Sequence, residues 1–152
     1  MNKLFLRLRG RNGAESIPMS ETLRRIVEIR RQGKLWIVGF ISDQVPLWNN
    51  IHLWLDFLHH DTPVFTGSER IARKFDSDVY YLDIRRERRG YYLARFVLMA
   101  EHAASQPEGE LTRSYFSLLE KSIRRQPAFY LWTHNRWKRT HEEYNIRYDE
   151  ET

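Results

Sequence analysis

The sequence contains no cysteine, which removes disulfide frameworks, thiol nucleophiles, Cys-based zinc sites and iron–sulfur clusters together. No apolar run approaches the roughly 18 residues of a membrane-spanning helix; the longest lies within Lys34–Ile41. Met1–Arg11 alternates basic and apolar residues without a long hydrophobic region or a cleavage site, and so makes a poor signal peptide. Glycine is scarce, at 7 residues of 152, and never forms a phosphate-cradling loop. A serine in a nucleophile-elbow setting and an H-E-x-x-H pattern are also missing.

What is abundant is aromatic and basic. Five Trp, 8 Tyr and 8 Phe make 14% of the chain, enough for a dense core with rings left for a ligand or an interface. Lys and Arg total 25 against 20 Asp and Glu, a net charge of +5. That excess suits a nucleic acid or an anionic membrane surface about equally. The length is that of a single domain.

Periodicity orders the chain. Leu23, Ile26, Val27 and Arg30 recur at helical spacing, predicting a helix over Ser20–Arg31 capped by Ser20 and stopped at Gln32-Gly33. Lys34–Ile41 reads as a strand buried on both faces. Leu47, Ile51, Trp54, Leu55 and Leu58 recur with helical spacing, and Trp48 and Phe57 widen that face. An amphipathic helix over Leu47–His60 is expected, with a loop of short turns as the alternative. Thr66 and Glu69 have capping-box spacing before a short helix. Asp78–Arg86 and Tyr91–Met99 read as an antiparallel hairpin. A helix capped by Thr112 follows, with Tyr115, Phe116, Leu118, Leu119, Ser122 and Ile123 inward. Pro127 interrupts it, and the tail from Glu142 reads as frayed.

This order implies an α/β or α+β layer domain. Three strands are few, since sheets usually carry about five or six, so the chain reads as part of a larger sheet.

The clearest chemical cluster is Pro127–Arg139, with two indoles, a Tyr, a His and three cations. On an extended backbone Arg136 and Lys138 would reach one anionic group, and His134 would serve as base or donor. The competing reading buries Tyr130 and Trp132 against the sheet and leaves the cations in water. Asp43-Gln44 qualifies by position, just beyond the first expected strand. The 85–89 run, Arg-Arg-Glu-Arg-Arg, falls in the hairpin turn and reads as a solvated face. Adjacent His59 and His60 make a poor metal site, and no metal or cofactor is expected.

Pro127, Tyr130, Trp132, His134, Arg136, Trp137 and Lys138 resemble the terminal motif of the lipid A biosynthesis (lauroyl/myristoyl) acyltransferases, P-x-x-Y-x-W-x-H-x-R-[FW]-K. Leu119-Glu120-x-x-Ile123-Arg124, Asp43-Gln44, Phe57 with Thr62–Gly67, and Ala72 with Val79 agree in order, over roughly residues 7 to 140. The resemblance implies a partial glycerolipid acyltransferase-like layer domain with a mixed sheet and an antiparallel hairpin. It also implies transfer of a fatty acyl chain from acyl carrier protein or coenzyme A to a lipid hydroxyl, with no nucleic acid partner.

The family's base motif is H-x-x-x-x-[DE], and it is missing here. His52 meets Phe57, His59 meets Val64, His60 meets Phe65, His102 meets Pro107, His134 meets Arg139 and His141 meets Ile146. The chain therefore reads as residues 1–152 of a C-terminal half that carries no catalytic residue of its own. Substrate contacts are expected at Asp43, Gln44, Arg85, His134, Arg136 and Lys138. Peripheral contact with the cytoplasmic face of the inner membrane is expected through Trp48, Trp54, Phe57 and Leu58, with plain core burial of these residues against the sheet as the competing reading. The rival is a non-catalytic peripheral module that binds lipid or nucleic acid.

Overall fold

A computed structural model describes residues 2–149, and the chain divides after Gly39 into two compact units. The first holds α1 (Asn2–Arg9) and α2 (Thr22–Arg31). Ile26 is the buried apolar residue of α2, as its spacing requires. Ser20 does not cap the helix. A 3-10 turn over Met19–Glu21 leads in, and the Thr22 hydroxyl donates to the Pro18 carbonyl at 3.2 Å. Arg25 is held by both carboxylate oxygens of Glu15, at 2.9 and 3.0 Å, and by Glu28 at 3.1 Å.

Lys34–Ile41 is not a strand. Leu35 and Ile37 stand in solvent, at 102% and 96% exposure, and the backbone is irregular. A strand is defined by the neighbour its N–H and C=O groups pair with. Among the described residues this segment joins no sheet.

In the second unit, Leu47–His60 is not a helix. A 3-10 turn over Trp48–Asn50 leads to β1 (Trp54–Phe57), which pairs antiparallel with β2 (His60–Pro63). The two-residue turn is Leu58-His59, both at positive φ (55° and 65°), as a right-twisted hairpin demands. Leu53, Leu55 and Phe57 point into the core. The apolar period is two, and the helical spacing was coincident with it.

After α3 (Gly67–Phe75), β3 (Val79–Arg88) and β4 (Tyr91–Ala100) form the expected antiparallel hairpin, turning at Gly90 (φ 81°). The expected mixed sheet is absent. Among the described residues the strands form two separate two-stranded antiparallel sheets. The fold is nonetheless mixed helix and strand, and α4 (Glu110–Arg125) is its longest element, packing on β1, β3 and β4. Phe57, Val64, Phe116 and Ile123 form the main core. Phe57 and Phe116 meet edge to face at 5.1 Å. No helix among the described residues is long and apolar enough to cross a membrane.

Thr112 does not cap α4; it lies inside its first turn. The cap comes from Glu69 of α3, a buried carboxylate that accepts from the backbone N–H of Gly109 (2.7 Å) and of Thr112 (3.0 Å) and from the Thr112 hydroxyl. Anionic oxygens at a helix N-terminus satisfy orphan donors and oppose the macrodipole. The Glu69 side chain is thus unavailable for the capping box expected at Thr66. A true capping box sits further on. Thr140 and Glu143 exchange backbone-to-side-chain bonds of 3.3 and 3.1 Å and start α5 (His141–Asp149), so the described tail is helical rather than frayed.

Glu69→Ala is expected to lower stability by about 2–4 kcal/mol, because it orphans three buried donors, and Thr112→Val by about 1 kcal/mol. Urea denaturation of both variants checks the order.

Candidate active site

The terminal segment is fastened to the second unit at several points. The Gln126 side chain extends the edge of β3, accepting from Arg86 N–H at 3.1 Å and donating to the Arg86 carbonyl at 2.8 Å. The Trp137 indole donates to the Thr62 hydroxyl at 2.9 Å and packs on the core. Arg136, 2% exposed, donates from Nε to the Tyr130 hydroxyl at 2.8 Å. Its guanidinium lies 5.4 Å from the Phe57 ring centre and 5.8 Å from that of Phe116, and its buried Nη1 has no hydrogen-bond partner. Among the described residues Arg136 forms no ion pair with Asp43 or Glu120.

Around Arg136 stand the hydroxyls of Tyr115 and Tyr130, both within the field of Asp43. Burial raises the phenol of Tyr115, and negative Asp43 adds to the rise while Arg136 opposes it. Tyr130 is raised by burial against the opposing Arg136. Tyr81 is raised by burial too, and its hydroxyl donates to Ser122 at 3.0 Å. Ser122 donates onward to Asp83 at 3.1 Å, and Arg125 donates to the same oxygen. The Arg125 bond holds the Asp83 carboxyl below its ordinary range. A polar chain thus runs from the tyrosines to the end of α4.

A model of the bacterial lipid A biosynthesis acyltransferases matches residues 1–139. The chain belongs to this family. No curated protein and no solved structure matches it. The family match ends at Arg139, the last residue of the aromatic and basic cluster, and α5 lies beyond it.

Within this family member the expected substrate residues do not form one site. Arg136 lies inside the core, while Lys138 is exposed, because the backbone around them turns rather than extends. His134 is half-buried and Gln44 exposed. Asp43 is half-buried near Arg136 and the tyrosines, but no strand precedes it, so the strand-end argument for Asp43-Gln44 fails. Arg85 lies on the hairpin, 3.7 Å from Glu87. Trp132 is not buried. It is 52% exposed, its indole donating to the Pro127 carbonyl at 2.7 Å. The membrane-facing set shares no helical side. Phe57 is fully buried, Leu58 packs on the core, Trp54 stacks on His141 at 4.4 Å, and Trp48 meets the guanidinia of Arg139 and Arg147 at 5.2 and 5.1 Å.

Sequence reading missed Tyr81, Tyr115, Ser122, Asp83 and Arg125 as a connected set. The signal was present: Ser122 falls on the inward side of α4, and Asp83 on the same strand face as Tyr81. A hollow of about 430 Å³ lies beside α4 and is lined by Leu55, Asp56, Arg113, Phe116, Lys121 and Arg124, among others. None of the expected substrate residues lines it.

Arg136→Ala is expected to destabilise the protein by about 2–4 kcal/mol, since it opens a cavity and orphans Tyr130. Arg136→Met, which keeps the apolar stem, should lose less. Melting curves check both. A second expectation concerns alkaline pH. Tyr81, Tyr115 and Tyr130 release their protons later when folded than when unfolded. Stability is therefore fully present below about pH 10 and falls as pH rises through the folded values. Tyrosinate absorbance should show a late fraction that rises together with loss of the circular dichroism signal.

Proposed function

We propose that this chain is the C-terminal half of an enzyme that moves a fatty acyl group from an acyl carrier protein or coenzyme A thioester to a hydroxyl of a lipid A precursor. The enzyme works at the cytoplasmic face of the inner membrane, in peripheral contact with the bilayer. The observation that carries this reading is the family match over residues 1–139. It is supported by the terminal motif, whose Tyr130, Arg136 and Trp137 are built into the core rather than left as a solvated tail.

Acyl transfer to a hydroxyl needs a base to take the proton as the oxygen attacks the thioester carbonyl. A positioned base contributes roughly 10²–10⁴ in rate, and orientation of the two reactants multiplies that. None of the six histidines has an acidic residue five positions on. The base therefore belongs to another segment, and the chain by itself is inert. The exposed apolar side chains of Leu35, Ile37 and Ile41, and of Leu82, Ile84, Phe96 and Leu98, support a larger layered fold, where such surfaces are covered.

Two measurements test this. Incubated with acyl carrier protein or coenzyme A thioesters and a lipid A precursor, the 152-residue chain should transfer no acyl group above the protein-free control. The coding DNA upstream of Met1 should continue in frame into an H-x-x-x-x-[DE] motif after a hydrophobic segment, and protein from that longer frame should transfer. Transfer by this chain alone overturns the assignment of the base to another segment. Unrelated upstream sequence with a separate start replaces the enzyme by a non-catalytic lipid- or nucleic-acid-binding module.

A further inference from the structure

On the α4 side of the β3–β4 hairpin is a second hollow of about 70 Å³, lined by Asp83, Arg85, Leu93, Arg95 and Arg125. That is several waters' worth of space. Three arginines and a single carboxylate line it. Asp83 is already engaged, accepting from Ser122 and from Arg125. Arg95 stands directly opposite Asp83 in the ladder, yet it forms no ion pair among the described residues. Arg85 acts on Asp83 through its field and has only Glu87, an exposed side chain 3.7 Å away, as an ionic contact.

We propose that this hollow binds a phosphate group, held by the guanidinium forks of Arg85 and Arg95 and flanked by Arg125. Like charges gathered around one neutralised carboxylate repel each other, and an anionic phosphate placed among them reverses the sign of that energy. The planar fork matches a tetrahedral oxyanion with two parallel N–H···O bonds, which an ammonium cannot do. Asp83 sets the geometry by accepting a hydrogen bond from Arg125. The site includes Arg85, a residue expected to meet substrate, and adds Arg95 and Arg125, which the sequence did not single out. The identity of the molecule bearing the phosphate rests on the acyl-transfer reading, because a carrier's phosphopantetheine and a phosphorylated lipid both present this group. The oxyanion chemistry does not rest on it.

The test is calorimetric titration of the full chain with inorganic phosphate at constant ionic strength, for wild type, Arg85→Gln/Arg95→Gln and Arg89→Gln. Arg89 lies in the hairpin turn and outside the hollow, so its variant controls for the loss of one positive charge, the same loss as in the Arg95→Gln single variant. Wild type should bind, the double variant should bind at least tenfold more weakly, and Arg89→Gln should match wild type. Melting curves without phosphate should agree among the three, and an Arg95→Gln single variant, intermediate in affinity, stands in if the double variant does not fold. Undiminished binding by the double variant, an equal loss in Arg89→Gln, or no binding by wild type overturns the site. Pantetheine 4′-phosphate binding more tightly than inorganic phosphate supports the site and assigns it to the donor. Tighter sedimentation with phosphatidylcholine vesicles that contain phosphatidic acid than with those that lack it, lost in the double variant, supports it and assigns it to the lipid. Phosphate binding without acyl transfer by the longer protein keeps the site and removes the enzyme; transfer without phosphate binding does the reverse.

Discussion

A guanidinium that forms no ion pair among the described residues lies in the core of the second unit. Arg136 is stabilised by the faces of Phe57 and Phe116 and by one phenolic oxygen. Cation–π attraction of this kind is worth up to about 2 kcal/mol when desolvated, against the larger cost of removing a cation from water. That balance requires its surroundings to be held rigidly. Phe57 comes from β1, Phe116 from α4 and Tyr130 from the terminal segment, so one side chain joins three elements far apart in sequence. If any of the three shifts, the charge loses part of what offsets its burial. The remaining packing follows from this constraint, with Trp137 locked to Thr62 one residue further on.

The second tie works through α4. Its N-terminus is held by Glu69 of α3, and its C-terminal turn holds Asp83 of β3 through Ser122 and Arg125. Midway, Glu120 pairs with Arg124 and receives the Leu58 N–H from the β1–β2 turn. Arg124 is the principal cause that keeps the Glu120 carboxyl below its ordinary range. A single 16-residue helix therefore sets the positions of both hairpins, which share no ladder of their own.

How much of this was legible depends on where the information resides. The β3–β4 hairpin and α4 were readable, because alternation and helical spacing record a single buried side in each. The Leu47–His60 stretch satisfied two periods at once. What decides it is a turn at Leu58-His59 in left-handed conformation, made by residues that ordinarily avoid it and so leave no glycine or asparagine signal. Lys34–Ile41 has strand composition but joins no sheet among the described residues, and pairing belongs to two segments rather than one. Glu69 was assigned to its own helix because capping rules are local, whereas its partners lie some 40 residues on. The family was legible from Pro127–Lys138. The inward course of Arg136 was not, because arginine usually stays in water, and only the three-dimensional arrangement of the rings shows why this one does not.

Trp48 lies 5.2 and 5.1 Å from two guanidinia, those of Arg139, which closes the terminal motif, and of Arg147, which belongs to α5. The electronic environment of its indole is set by two cations from separate parts of the chain, one inside the family-matched region and one beyond it. Detachment of the last helix removes one of them while leaving the other in place. The protein thereby carries its own optical gauge of whether that helix is seated, written into the emission of Trp48 and of Trp54, which stacks on His141 of the same helix.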